Sequence, residues 1–114
     1  MIERIDTICL KVSNVDEASK WYQEKLGFKE SYRGNTYRIM SIGESSVPLT
    51  IEEGEVSTAE SRTYPIFFTK QLEKTYLDLK EKGVSVGQLQ VDGVNNFFDF
   101  YDLDKNKLQV CFWE

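Results

Sequence analysis

The sequence predicts an α+β fold made of two βαβββ modules, and three features predict it. Segments 15–26 and 71–82 carry apolar residues at helical spacing, and each is followed by a glycine. The other apolar segments are short, alternate between apolar and polar positions, and are separated by turn-forming residues. The order strand, helix, three strands then occurs twice. Two helices among eight strands cannot make a doubly wound parallel sheet, in which each crossover needs its own helix. A curved mixed sheet, with the helices outside and a cup inside, is the simplest arrangement.

The first strand is expected over 5–12, with Ile8, Leu10 and Val12 on one face and Thr7, Cys9 and Lys11 on the other. Asn14 is a suitable N-cap for the first helix, with Glu17 completing a capping box and Gly27 free to close it in the left-handed conformation. Val15, Ala18, Trp21, Tyr22 and Leu26 form its apolar stripe. Strands are expected over 28–33, 37–42 and 48–53, joined by the Gly34-Asn35 and Gly43–Ser46 turns. In the second half a strand over 62–69 leads into a helix with Leu72, Tyr76 and Leu79 inward, Thr69 or Lys70 at its start and Gly83 at its end. Strands over 84–90, 97–102 and 108–113 complete the chain, with turns at Asp92-Gly93 and Asp104–Lys107. Aligning Gly27 with Gly83 superimposes the halves as a repeat of pattern. The expected organisation is one domain over 1–114, with modules 1–54 and 61–114 and a polar linker over 55–60.

Length and composition fit one globular domain with its own core. A net charge of −5 and a pI near 4.8 oppose general nucleic-acid binding, which needs clustered Lys and Arg. No apolar run approaches the ~20 residues of a membrane-spanning helix. The N-terminal Met1-Ile2-Glu3-Arg4-Ile5-Asp6 lacks the apolar core of a signal peptide, and two cysteines are too few for a secreted disulfide framework. A cytoplasmic location is expected. Cys9 and Cys111 are read as small hydrophobes rather than a redox pair. Glu52, Glu53, Glu55 and Glu60 read as a solvated edge that would also lend negative potential to a groove mouth. The chain contains no histidine, so neither a Ser–His nor a Cys–His pair exists, and no phosphate-cradling glycine loop is present.

Ile5-Asp6-Thr7-Ile8-Cys9-Leu10-Lys11-Val12, Asn14-Val15-Asp16, Trp21-Tyr22 and Leu26-Gly27-Phe28 together resemble the opening of vicinal oxygen chelate proteins. That superfamily includes glyoxalase I, extradiol dioxygenases and the fosfomycin and bleomycin resistance proteins. Asp102-Leu103-Asp104-Lys105-Asn106-Lys107-Leu108-Gln109-Val110 is similar to the family's closing Asp-Pro-Asp-Gly-Asn-x-Leu-Glu-Leu motif, with Leu103 and Lys105 replacing Pro and Gly. The resemblance spans nearly the whole chain. It implies the fold above and a homodimer in which two chains complete each cup.

In the metal-dependent members the ligands are His or Glu, one from the first and last strand of each module. Carried over by position, these fall on Thr7, on Thr50 with Glu52 on the same face, on Tyr64 (or Thr63 if the register slips by one), and on Gln109. Hydroxyl and amide groups thus stand where such sites use imidazole, thiolate or carboxylate. The resemblance therefore implies no metal, no cofactor and no catalytic residue inherited from the family. Thr7, Thr50, Tyr64, Gln109 and Glu52 are expected to line a ligand site instead, joined by Tyr37 or Arg38 and by Trp113, which alternation places with Gln109 and Cys111. The expected function is metal-independent binding of a small organic molecule, cationic or aromatic, such as a drug or metabolite. The alternatives are a glyoxalase-like lyase or isomerase using residues such as Tyr64 or Glu52 as acid or base, and a dimeric scaffold without a ligand.

Overall fold

A computed structural model of the chain describes residues 1–56, 62–94 and 96–114. The expected linker from residue 57 onward, Glu60 with it, lies outside the described residues. The chain divides into two compact units, Met1–Thr58 and Ala59–Glu114. Each unit has its own mixed sheet and one helix. Among the described residues the strands hydrogen-bond as sheets of four and five strands.

In the first unit, β1 (Ile8–Val12), α1 (Val15–Leu26), β2 (Lys29–Arg33), β3 (Tyr37–Ser41) and β4 (Leu49–Glu53) follow in order. The sheet order is β1-β4-β3-β2, with β1 parallel to β4 and the other pairs antiparallel. Helix α1 has the expected bounds because both ends are capped. The Asn14 side chain accepts from the Glu17 amide at 3.0 Å, and Gly27 adopts φ 72°. Val15, Ala18 and Tyr22 pack with Val12, Met40, Leu49 and Ile51, all buried. Each large apolar side chain so buried contributes ~1.5–3 kcal/mol. β1 begins three residues later than expected, where the Ile8 amide donates to the Pro48 carbonyl.

In the second unit, β5 (Ile66–Phe68), α2 (Leu72–Glu81), β6 (Ser85–Val86), β7 (Gln90–Val91), β8 (Asn96–Tyr101) and β9 (Lys107–Phe112) follow. The order is β5-β9-β8-β6, with β7 also paired to β8. β5 runs parallel to β9. It is shorter than expected because Pro65, with no amide hydrogen, can only accept, taking the Gln109 amide at 3.1 Å. The single strand expected over 84–90 is broken into β6 and β7. Gly87, at the break, donates to the Asp99 carbonyl at 2.7 Å. Neither Thr69 nor Lys70 is the cap of α2. Gln71 is, and its own amide is held by the Thr69 hydroxyl at 3.1 Å. Phe98, Phe100, Leu108 and Val110 form the core with Leu72, Leu79 and Val84, and Tyr76 meets Phe98 edge-on at 5.0 Å.

The β8–β9 turn, which carries Lys105 where the family motif has glycine, is held by a side-chain carboxylate. Asp102 is buried, and its Oδ1 accepts from the Asp104 and Asn106 amides at 2.9 Å each. Lys105 takes φ 65°, the only non-glycine residue with positive φ among the described residues. The carboxylate network imposes a backbone conformation that glycine would adopt without strain.

Candidate functional site

Register and alternation sort the residues of each sheet onto two faces. In the first unit, Cys9 is opposite Thr50, Lys11 opposite Glu52, Tyr37 opposite Glu52 and Ile39 opposite Thr50. These residues share the face turned away from α1, because Val12, Met40, Leu49 and Ile51 fill the other. The Thr7 and Thr50 hydroxyl oxygens lie 2.8 Å apart, and Thr7 Oγ1 also donates to the Pro48 carbonyl at 3.0 Å. Two residues on, the Lys11 ammonium pairs with the Glu52 carboxylate. That hydrogen bond holds the Lys11 pKa above its ordinary value. Partial burial, and then the charge of Glu52, push the pKa of the neighbouring Cys9 thiol up.

Tyr37 and Arg38 fall on opposite faces. The expectation that Arg38 joins the ligand face is corrected: it turns toward α1 and is buried. Its Nη2 donates to Asp16 Oδ1 at 2.6 Å, its Nη1 donates to the Gly34 and Tyr37 carbonyls, and its Nε lies 3.1 Å from Glu30 Oε1. Tyr37 is on the face of Thr50, stacked against Tyr32 at 5.9 Å between ring centroids.

In the second unit the equivalent face carries Gln109 and Cys111 of β9, with Asp99 opposite Gln109 and Phe97 opposite Cys111. Gln109 Nε2 donates to Asp99 Oδ1 at 2.9 Å. Lys107 Nζ stands 3.7 Å from Asp99 Oδ2 and 4.2 Å above the centroid of the Tyr64 ring. Tyr64 and Gln109 are therefore joined through Lys107 and Asp99. Trp113 is exposed just past β9 and meets Phe68 edge-on at 5.5 Å. Burial pushes the Cys111 thiol up.

Asp99 and Lys107 were not among the residues singled out from the sequence. Their signal was the Asp102–Asn106 turn: once it is known to pair Tyr101 with Lys107, counting two places away from the turn on each strand brings Asp99 to Gln109. The two faces then share a device. Each holds one carboxylate, Glu52 or Asp99, beside a lysine, Lys11 or Lys107.

The residues in these positions do not fit a divalent metal. The Thr7 and Thr50 hydroxyls are poor ligands, and Glu52 and Asp99 are both engaged by lysines. Among the described residues no three His, Cys, Asp or Glu side chains are gathered so as to hold an ion.

A family model described as Glyoxalase/Bleomycin resistance protein/Dioxygenase superfamily matches residues 4–110. The chain belongs to that superfamily. Solved structures of this superfamily's fold superpose over essentially the whole chain. The fosfomycin resistance protein FosX from Listeria monocytogenes, complexed with Mn(II) and sulfate, has a TM-score of 0.82 at 19% identity, covering 100% of this chain and 93% of that one. FosX from Mesorhizobium loti gives 0.81 at 16% identity, covering 100% and 95%. The antibiotic-binding protein TnmS3 from Streptomyces sp. CB03234 gives 0.83 at 17% identity, covering 99% and 98%. At these identities the likeness establishes the fold alone. No curated protein matches the sequence.

Proposed function

We propose that this superfamily member is a metal-independent binding protein. It sequesters a small organic molecule on the helix-distal faces of its sheets and acts as a cytoplasmic homodimer. On this reading residues 1–114 work as one domain, with modules 1–54 and 61–114 joined by the 55–60 linker. Thr7, Thr50, Tyr37 and Glu52 line the first face. Tyr64, Gln109 and Trp113 line the second, with Asp99 and Lys107 added.

The observation that carries the reading is the Thr7–Thr50 hydroxyl pair at 2.8 Å. Position by position it replaces metal-ligating side chains with groups that hydrogen-bond and do not polarise a carbonyl or activate water as a Lewis acid would. TnmS3, an antibiotic-binding protein of the same fold, is the precedent favoured over the Mn(II)-loaded FosX.

Two measurements test it. After dialysis against excess Zn²⁺, Mn²⁺, Ni²⁺ or Fe²⁺ and then buffer, elemental analysis should find no stoichiometric ion; one tightly held equivalent ends the reading. In a thermal-shift screen of aromatic and cationic drugs, a ligand at 100 times its Kd should add about 2.7 kcal/mol to stability. Thr50→Val should weaken that ligand's binding. A screen without a hit leaves a dimeric scaffold as the better account, and light scattering at a mass other than twice 13.3 kDa removes the dimer.

A further inference from the structure

The β2–β3 hairpin of the first unit presents an ordered aromatic pair on the proposed ligand face. Tyr32 and Tyr37 stack with their rings 26° from parallel. Tyr32 is opposite Ile39 across the hairpin, and Tyr37 is opposite Glu52 on β4. Tyr32 is 55% exposed, so one side of its ring is covered by Tyr37 while much of its surface reaches solvent.

Gly34 fixes this arrangement. Its amide donates to the Tyr37 carbonyl at 2.9 Å, closing the hairpin, and the Tyr37 ring lies where a side chain at position 34 would begin. A Cβ added to Gly34 would stand 2.1 Å from Tyr37 Cε1, far inside van der Waals contact. Gly34 lacks a positive φ, so the backbone does not require glycine there. The ring does. The ring is thereby confined from below by the hairpin backbone and from the side by Tyr32. A stacking surface set before the ligand arrives loses less entropy on binding than one that must order.

The electrostatics of the same face select among ligand classes. Its strand carboxylate, Glu52, is already paired with Lys11, and Lys29, opposite Ser41, adds a positive charge, so among the described residues its strands present no unbalanced negative charge to recruit a cation. What it offers is ring surface, the aliphatic Ile39 and the Thr7–Thr50 hydroxyls. We infer that the Tyr32–Tyr37 pair, set by Gly34, is a stacking platform that selects a planar aromatic ligand without positive charge. The inference rests on the reading of this face as a ligand site and names its ligand class.

The test uses the full chain and three probes: flavone, planar and neutral; N-methylacridinium, planar and cationic; and cyclohexanecarboxamide, neither planar nor aromatic. Calorimetric Kd values and ring-proton shifts of Tyr32 and Tyr37 are the readouts. Flavone should bind tightest and shift both tyrosines, and Tyr32→Leu should weaken it roughly fivefold. Gly34→Ala should weaken it comparably in the wild-type background and have no further effect in Tyr37→Ala, since glycine acts only through that ring. Thermal unfolding of each variant verifies that it is folded. Acridinium binding tighter than flavone overturns the inference, as does flavone binding that Tyr32→Leu leaves unchanged. Binding of cyclohexanecarboxamide that depends on Thr50 but not on Tyr32 overturns the platform while leaving the face as a ligand site. If no probe binds, the platform falls, and the drug screen with Thr50→Val decides the site separately.

Discussion

Arg38 on β3 and Asp16 on α1 are joined at 2.6 Å, and the same guanidinium lies 3.1 Å from Glu30 on β2. One side chain therefore ties the helix to two strands of its sheet. Ser19 Oγ donates to Glu30 Oε1 at 2.9 Å, and Gln23 Nε2 donates to Ser19 at 3.0 Å, so α1 also holds the Glu30 carboxylate by a hydrogen bond, while buried Arg38 Nε stays within ion-pair distance of it without making one. The arginine stem also fills space on the helix face beside Met40.

Removing Arg38 leaves the Glu30 carboxylate, 18% exposed, with the exposed Arg33 guanidinium but without its buried one. Arg38→Ala should cost about 3 kcal/mol in urea denaturation. Arg38→Met with Glu30→Leu, which removes both charges and keeps apolar volume, should cost markedly less. Equal losses for the two variants would show that packing, and not the loss of one of the two guanidinium partners of Glu30, dominates.

Glu30 also predicts a pH dependence. Desolvation raises its pKa, but hydrogen bonds from Arg33 and Ser19 and the charges of Arg33 and Arg38 outweigh it, so the net shift is downward. A carboxyl with a folded pKa below its unfolded one binds protons more weakly in the native state. Its contribution is present above the unfolded value of about 4.3 and is lost as pH falls through the lowered folded value. Urea midpoints should therefore drop as pH falls below about 4.3, and Glu30→Gln should start lower and fall less steeply there. Parallel curves for the two proteins would remove Glu30 as a source of the acid sensitivity.

Lys105 gives a prediction of the opposite sign. It holds φ 65° in a turn whose shape is fixed by the buried Asp102. Lys105→Gly should relieve about 1 kcal/mol of steric cost, offset in part by the greater freedom of glycine in the unfolded chain. The thermal midpoint should rise by a few degrees. Asp102→Ala should lower stability by about 1–3 kcal/mol, since it leaves the Asp104 and Asn106 amides without their acceptor. A Lys105→Gly midpoint at or below wild type would mean that the lysine side chain makes a contribution exceeding its strain.

Much of this was legible along the chain. The bounds of α1 followed from Asn14 and Gly27 because capping is local chemistry, decided by residues three or four places apart. The repeat of pattern followed from strand and helix periodicity for the same reason. Strand 84–90 was misread as continuous because its interruption depends on Gly87 bonding to Asp99, a residue distant in sequence. The face of Arg38 was ambiguous for a different reason. Tyr37-Arg38-Ile39-Met40-Ser41 has one aliphatic or thioether side chain on each parity, so alternation does not choose between them.

By itself, the sequence determined the type and order of the elements apart from the break at Gly87, the two-module plan and the absence of histidine, since these depend on composition and short-range spacing. The tertiary structure alone decided which side chains meet. Whether Arg38 faces a ligand or a helix depends on Asp16 and Glu30 being there to receive its charge. Whether Gln109 stands alone or in a network depends on the register that sets Asp99 opposite it. Those partners are brought together by long-range strand pairing and helix packing, and a charge is placed where its desolvation can be compensated.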